Sequence, residues 1–196
     1  MKRALLLASV LAALLVAGAI AIVPRLLVEG GGPPAIGGPF TLVDHTGRTV
    51  TDADYRGRLM LIFFGYTFCP DVCPTTLATV AQAWEALSAD ERTQLVPIFV
   101  SIDPDRDSPE RMAEYVANFS PGLVGLTGSA TQVADIARAY RVYVRKGEGT
   151  ATDYSMDHSA ILYLMDRQGR FAGHFDPNAT AEQIVAAVRR QLAGKP

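Results

Sequence analysis

Cysteine is scarce in this chain. There are two in 196 residues, Cys69 and Cys73, so no multi-bridge disulfide scaffold is possible. Strong charge is also missing. The formal net charge is −2, and no Arg/Lys block or basic stripe argues for a nucleic-acid partner. No internal repeat and no second linker divides the chain, so residues 40 to 196 read as one unit, long enough to bury a core. No cysteine follows the apolar N-terminal run, which excludes a bacterial lipoprotein anchor. Histidine is sparse too, with three in all.

The N-terminus carries the one long hydrophobic run. In "MKRALLLASVLAALLVAGAIAIVPR", Lys2 and Arg3 precede apolar residues from Ala4 to Val23. About 20 helical residues span roughly 30 Å, enough to cross a bilayer. "AGA" at Ala17 to Ala19 resembles the cleavage site of a signal peptide, but the run outlasts a usual signal core. We read residues 1–24 as an uncleaved anchor with its basic end in the cytoplasm. That puts the rest of the chain outside the cytoplasm, where two thiols can oxidise. Residues 25–39 include "EGGGPPAIGGP", a Gly/Pro-rich tether.

The remainder alternates strand and helix signals. "FTLVDHTGRTVT" reads as a hairpin, and "LMLIFFG" as a buried strand. Pro74 suits a first helical turn, and Leu77, Val80, Ala81, Trp84 and Leu87 follow at helical spacing. "QLVPIFVSID" is the next buried strand. Ser108–Pro109 opens a helix with Met112, Tyr115, Val116 and Phe119 on one face. "LVGLTG" reads as a short strand. Capping boxes at Ser129/Gln132 and Thr180/Gln183 open two more helices, and "DRQG" joins two strands between them. The order predicts an α/β sheet with helices on both faces and an N-terminal hairpin. The cysteines fall where a central strand hands over to a helix, the usual ligand position in open α/β sheets.

Three readings of "FCPDVCP" compete. A disulfide staple would close so short a loop that it constrains little chain. A redox pair or a metal site uses the same local physics. The helix start at Cys73 favours a thiolate, Pro70 keeps Cys69 extended, and both thiols are expected to be acidic and near the surface. The C-x-x-x-C spacing is one residue wider than the usual C-x-x-C oxidoreductase pair, which leaves room for an ion. Two thiolates do not complete a typical site, so a third donor is wanted. His45 lies in the "DHTG" turn and reads as solvated. His174 sits in a strand on the face opposite Phe171, Gly173 and Phe175, a surface position. His158 ends the polar segment "KGEGTATDYSMDH", read as a loop, and precedes the apolar "SAILYLMD". That junction can lie beside the cysteine corner. Asp103, Asp105 and Asp107 crowd "SIDPDRDSP"; Ser108–Pro109 accounts for them as a turn and helix cap without a metal.

These residues together resemble the SCO/SenC family of thioredoxin-like, copper-binding proteins. The matching segments are "FTLVDHTGRTVTDADYRGRLMLIFFGYTFCPDVCPTTL", "VSIDPDRDSPE", "GLTGSATQVADIARAYRVY" and "DYSMDHSAILYLMDRQGRF". The resemblance implies that Cys69, Cys73 and His158 bind one copper ion, as Cu(I) or Cu(II). It implies a part in assembling the CuA centre of cytochrome c oxidase subunit II, with other copper chaperones or thiol reductants as further partners. It also implies an inner-membrane protein, single-pass, with its domain in the periplasm. Soft thiolates suit Cu(I), and imidazole suits both oxidation states. Asp157 is a candidate to orient the imidazole, and Met156 an auxiliary soft donor or a packing residue. Some family members are described as thiol-disulfide reductases, which leaves an enzyme cycling Cys69 and Cys73 as the rival. Such reductases place a cis-proline before the strand that follows, where this chain has Asp157–His158. A peroxidase would use a single cysteine with a nearby threonine such as Thr67, a layout that the second cysteine argues against.

Overall fold

The computed structural model describes residues 36–150 and 152–194. The chain divides into two units, Met1–Pro34 and Ala35–Pro196, and all described residues belong to the second. The expected anchor, 1–24, and most of the tether, 25–39, lie outside the described residues. Among those described, no helix is long and apolar enough to cross a membrane.

A seven-stranded mixed sheet forms the centre, in the order β2-β1-β5-β4-β3-β8-β9. β1 (Thr41–Asp44) and β2 (Thr49–Thr51) form the expected hairpin, and β3 (Leu59–Gly65) is the buried strand before the cysteines. β4 (Leu95–Ser101) and β5 (Val124–Thr127) run parallel to it in turn, while β8 (Leu162–Met165) and β9 (Phe171–Phe175) continue antiparallel. β3 reads as an unbroken apolar run because both its faces are covered. Met60, Ile62 and Phe64 enter one core, which the helix α4 (Ala130–Ala139) closes with Val133, Ile136 and Ala137. Leu59, Leu61 and Phe63 enter the other, beneath α1 (Val72–Ala86), α3 (Pro109–Val116) and α5 (Ala181–Leu192). Ser108, Ser129 and Thr180 cap their helices as the sequence suggests. One short helix, α2 (Ala89–Thr93), was not expected; Ser88 and Glu91 box its start.

Two differences bear on function. The segment read as a polar loop is a two-stranded ribbon, β6 (Val144–Gly149) paired with β7 (Tyr154–His158) and separate from the main sheet. Its strands carry charged residues and glycine, and one side faces solvent, so hydropathy hid them. Helix α1 also begins two residues earlier than expected. Asp71 is its cap, and Cys73 sits within the first turn.

The topology explains why distant residues meet. β3 and β4 are parallel, so their C-terminal ends share one edge of the sheet. β8 is antiparallel to β3, with Leu162 opposite Phe63. The chain that enters β8 therefore arrives at the edge where β3 ends. His158 is delivered there by the ribbon, next to the loop that carries the cysteines.

Candidate metal centre

Cys69 is half-buried and Cys73 fully buried, and both are free thiols. The Cys73 amide, one of the orphan donors of the first helical turn, points at the Cys69 sulfur at 3.4 Å. A hydrogen bond from Cys73 pulls the Cys69 thiol down to about 4. The same interaction, together with burial, pushes the Cys73 thiol up. The expectation of two acidic surface thiols is therefore corrected to one half-exposed thiolate beside one enclosed thiol. Burial disfavours the charge at Cys73 more than the helix start favours it. Gly65, at the end of β3, leaves the space that the Cys73 sulfur fills: a Cβ there would lie 2.6 Å from it.

His158 meets this pair. Its Nε2 lies 3.9 Å from the Cys73 sulfur. Nδ1 lies 3.1 Å from the Ser159 carbonyl oxygen. A carbonyl can only accept, so Nδ1 carries the proton and Nε2 presents its lone pair to the sulfurs. Phe63 and Tyr66 hold the ring edge-on, at 6.3 and 6.1 Å between centroids. Asp157, the expected orienting group, instead pairs with Arg145 on the exposed face of the ribbon. Alternation along β7 turns it away from the imidazole, and the Ser159 backbone takes its role. Met156 packs against the core.

The other two histidines are elsewhere. His45 is less solvated than expected: it is half-buried, and its Nδ1 accepts from the Gly125 amide at 3.1 Å, extending the β1–β5 pairing. His174 is exposed as expected. It is not on the face opposite Phe171, however, because a register shift in β8–β9 stacks the two rings at 6.1 Å.

The acids after β4 have partners that the sequence did not reveal. Asp107 is fully buried. It accepts from the Thr67 amide at 3.1 Å, the Thr67 hydroxyl at 2.6 Å and the Ser101 hydroxyl at 2.6 Å. It thereby ties the cysteine loop to the end of β4, and burial raises its carboxyl above the usual range. Asp103 is buried and accepts from the Tyr154 hydroxyl at 2.6 Å. Asp105 alone of the three is exposed, paired with Lys146. The signal available in sequence was three acids directly after an apolar strand, where at least one had to be buried. Thr67 is committed to Asp107 and is not free to serve a single-cysteine peroxidase.

Among the described residues, no three His, Cys, Asp or Glu side chains are already closed around one point. The donor set nevertheless fits a soft ion. Ligand bonds of about 2.3 Å to sulfur and about 2.0–2.1 Å to nitrogen put two ligands of one ion roughly 3.6–3.8 Å apart, close to the observed Cys73–His158 separation.

Comparison with known proteins fits this arrangement. The SCO1/SenC family model matches residues 28–193. The chain belongs to the SCO1/SenC family. It is 46% identical over 163 residues to human "Protein SCO1 homolog, mitochondrial", covering 82% of this chain and 54% of that one. The chain spans about half to three-fifths of the length of curated relatives that it matches. Among solved SCO1/SenC structures, copper-bound ScoI of Bradyrhizobium japonicum is 44% identical at a TM-score of 0.75, covering 80% of this chain and 99% of that one. Copper-bound yeast Sco1 is 34% identical at 0.76, covering 83% and 91%. The fold is thus the family's α/β thioredoxin-like one, a central mixed sheet with flanking helices.

Proposed function

We propose that this protein is a copper metallochaperone that holds one copper ion on Cys69, Cys73 and His158. The observation that carries the reading is the 3.9 Å approach of the His158 Nε2 to the Cys73 sulfur, between residues 85 positions apart. The copper-bound state of two relatives supports it. Copper is the cargo here. Two thiolates and an imidazole suit Cu(I) and tolerate Cu(II), and binding must expel the Cys73 thiol proton. Half-exposed Cys69 is the natural first contact and buried Cys73 the second. Following the family resemblance, the cargo is destined for the CuA centre of cytochrome c oxidase subunit II. Residues 1–24 anchor the protein in the inner membrane, residues 25–39 are the tether, and residues 40–196 form the periplasmic domain.

One observation favours a second reading. The two cysteines are free and lie together at a helix start, with the Cys73 amide aimed at the Cys69 sulfur, which also suits thiol-disulfide exchange on the cysteines of the copper site. The full-length chain, purified in detergent and reduced, is to be titrated with Cu(I) and with Cu(II), beside His158→Ala, Cys69→Ser and Cys73→Ser. The chaperone reading expects each variant to lose affinity and to change the Cu(II) spectrum. Unchanged binding in His158→Ala removes the third ligand. Fast turnover of a disulfide substrate with negligible copper affinity would favour the reductase.

A further inference from the structure

The ribbon that delivers His158 does not belong to the main sheet, so something else must set its position. Arg106 lies at the junction. Its Nε donates to the buried Asp103 carboxylate. Its Nη1 donates to two carbonyls of the ribbon, Tyr154 at 3.0 Å and Thr152 at 3.4 Å. Its Cζ lies 3.6 Å from the Tyr154 ring centroid, 4.6 Å from that of Phe68 and 5.6 Å from that of Tyr66. One side chain thus touches the loop after β4, the ribbon, and the residues on either side of Thr67 in the cysteine loop.

We propose that Arg106 is a positioning residue of the copper site, holding the His158 ribbon against the cysteine loop. The chemistry suits the task. A guanidinium offers five donors in a rigid plane and can stack on rings while it donates from its edge, which lysine cannot do. The side chain is 9% exposed, so the charge needs its partners, and Asp103 supplies the counter-charge. The second terminal nitrogen, Nη2, is buried without a partner among the described residues. The guanidinium is therefore placed by its ribbon and ring contacts and not by maximal hydrogen bonding. Tyr154 closes the latch from the other side, with its hydroxyl on the same Asp103. Tyr154 and His158 are the two ends of the five-residue strand β7, so fixing one end limits where the other can reach.

The inference rests on the ligand reading of His158 but is tested first without metal. Amide hydrogen exchange of the reduced, metal-free full-length chain should rise at least tenfold across residues 144–158 in Arg106→Gln and Arg106→Lys, with β3, β4 and β5 unchanged. Tyr154→Phe should show the same pattern more weakly. In the same proteins copper affinity should fall about tenfold to a hundredfold, the usual cost of losing a group that orients a ligand, and the sulfur-to-Cu(II) absorption band should shift. Ribbon exchange at the parent rate in a folded Arg106 variant overturns the latch. Loss of copper affinity with unaltered ribbon exchange overturns it too. If Arg106→Gln does not fold, Arg106→Lys and Tyr154→Phe decide by the same readouts. His158→Ala in the copper titration distinguishes failure of the ligand reading, because it leaves the metal-free exchange test standing.

Discussion

Gly65→Ala is a one-carbon probe of how the cysteine pair is held. Gly65 closes β3 and has no positive φ, so alanine meets no backbone strain there. An unobstructed glycine-to-alanine change normally stabilises a fold by about 0.4–1 kcal/mol, through the unfolded chain. Here the new Cβ would lie 2.6 Å from the Cys73 sulfur, 2.8 Å from Phe99 Cε2 and 3.4 Å from Phe63 Cε1. Favourable carbon contacts need about 3.5–4.0 Å, so sulfur and ring must each retreat by roughly 1 Å. Both are fully enclosed and have no free space to enter. Overpacking of this kind costs about 1–3 kcal/mol, which lowers the unfolding midpoint of a chain this size by roughly 2–10 °C. The sulfur should move off its 3.9 Å approach to His158, and copper affinity should fall with it. Thermal unfolding by circular dichroism, with Cu(I) competition titration, measures both. Gly173→Ala is the control, since nothing lies within 4 Å of its Cβ position; it should be neutral or stabilising. A Gly65→Ala protein as stable as its parent, with parental copper affinity, would refute the packing derived for Cys73.

Asp107→Ala strands the Thr67 amide and the Thr67 and Ser101 hydroxyls in a buried space. It should cost about 3 kcal/mol or more in denaturant unfolding and loosen the cysteine loop; a cost below about 1 kcal/mol would deny the clamp. Asp157→Asn should leave copper affinity within about threefold, because the carboxylate serves an exposed Arg145 pair worth little, and isothermal titration checks this. Glu91 pairs with Arg189, and that hydrogen bond holds its carboxyl down at about 2. A depressed carboxyl stabilises the fold above its unfolded value near 4.5 and loses that contribution as pH falls toward 2. The stability gap between parent and Glu91→Gln should therefore be full at neutral pH and close between pH 4.5 and 2 in urea midpoints.

What could be read along the chain was local. The hairpin at "DHTG", the buried strands, the three capped helices and a helix with Pro74 in its first turn each follow from turn chemistry, period or caps within a few residues. The ribbon could not be read so. Val144 to His158 has charge, glycine and no period, and its strands are recognisable only because Arg106, Asp103 and the Tyr66 ring provide a surface to lie on. The turn and cap of "SIDPDRDSP" were legible, but the partners of its acids were not, for a similar reason. A cap at Ser108 explains the local conformation, while the partners of Asp103 and Asp107 are up to 51 residues away.

From sequence alone, two soft donors at a strand–helix corner and a candidate imidazole before a later strand were already determined, because residue type and near-neighbour conformation are written locally. Tertiary structure alone decided that the later strand runs antiparallel to β3, and so brings the imidazole to the sulfurs. It also decided which thiol is buried and which group orients the ring. Those outcomes depend on burial and on partners dozens of residues distant, and no short-range pattern encodes either.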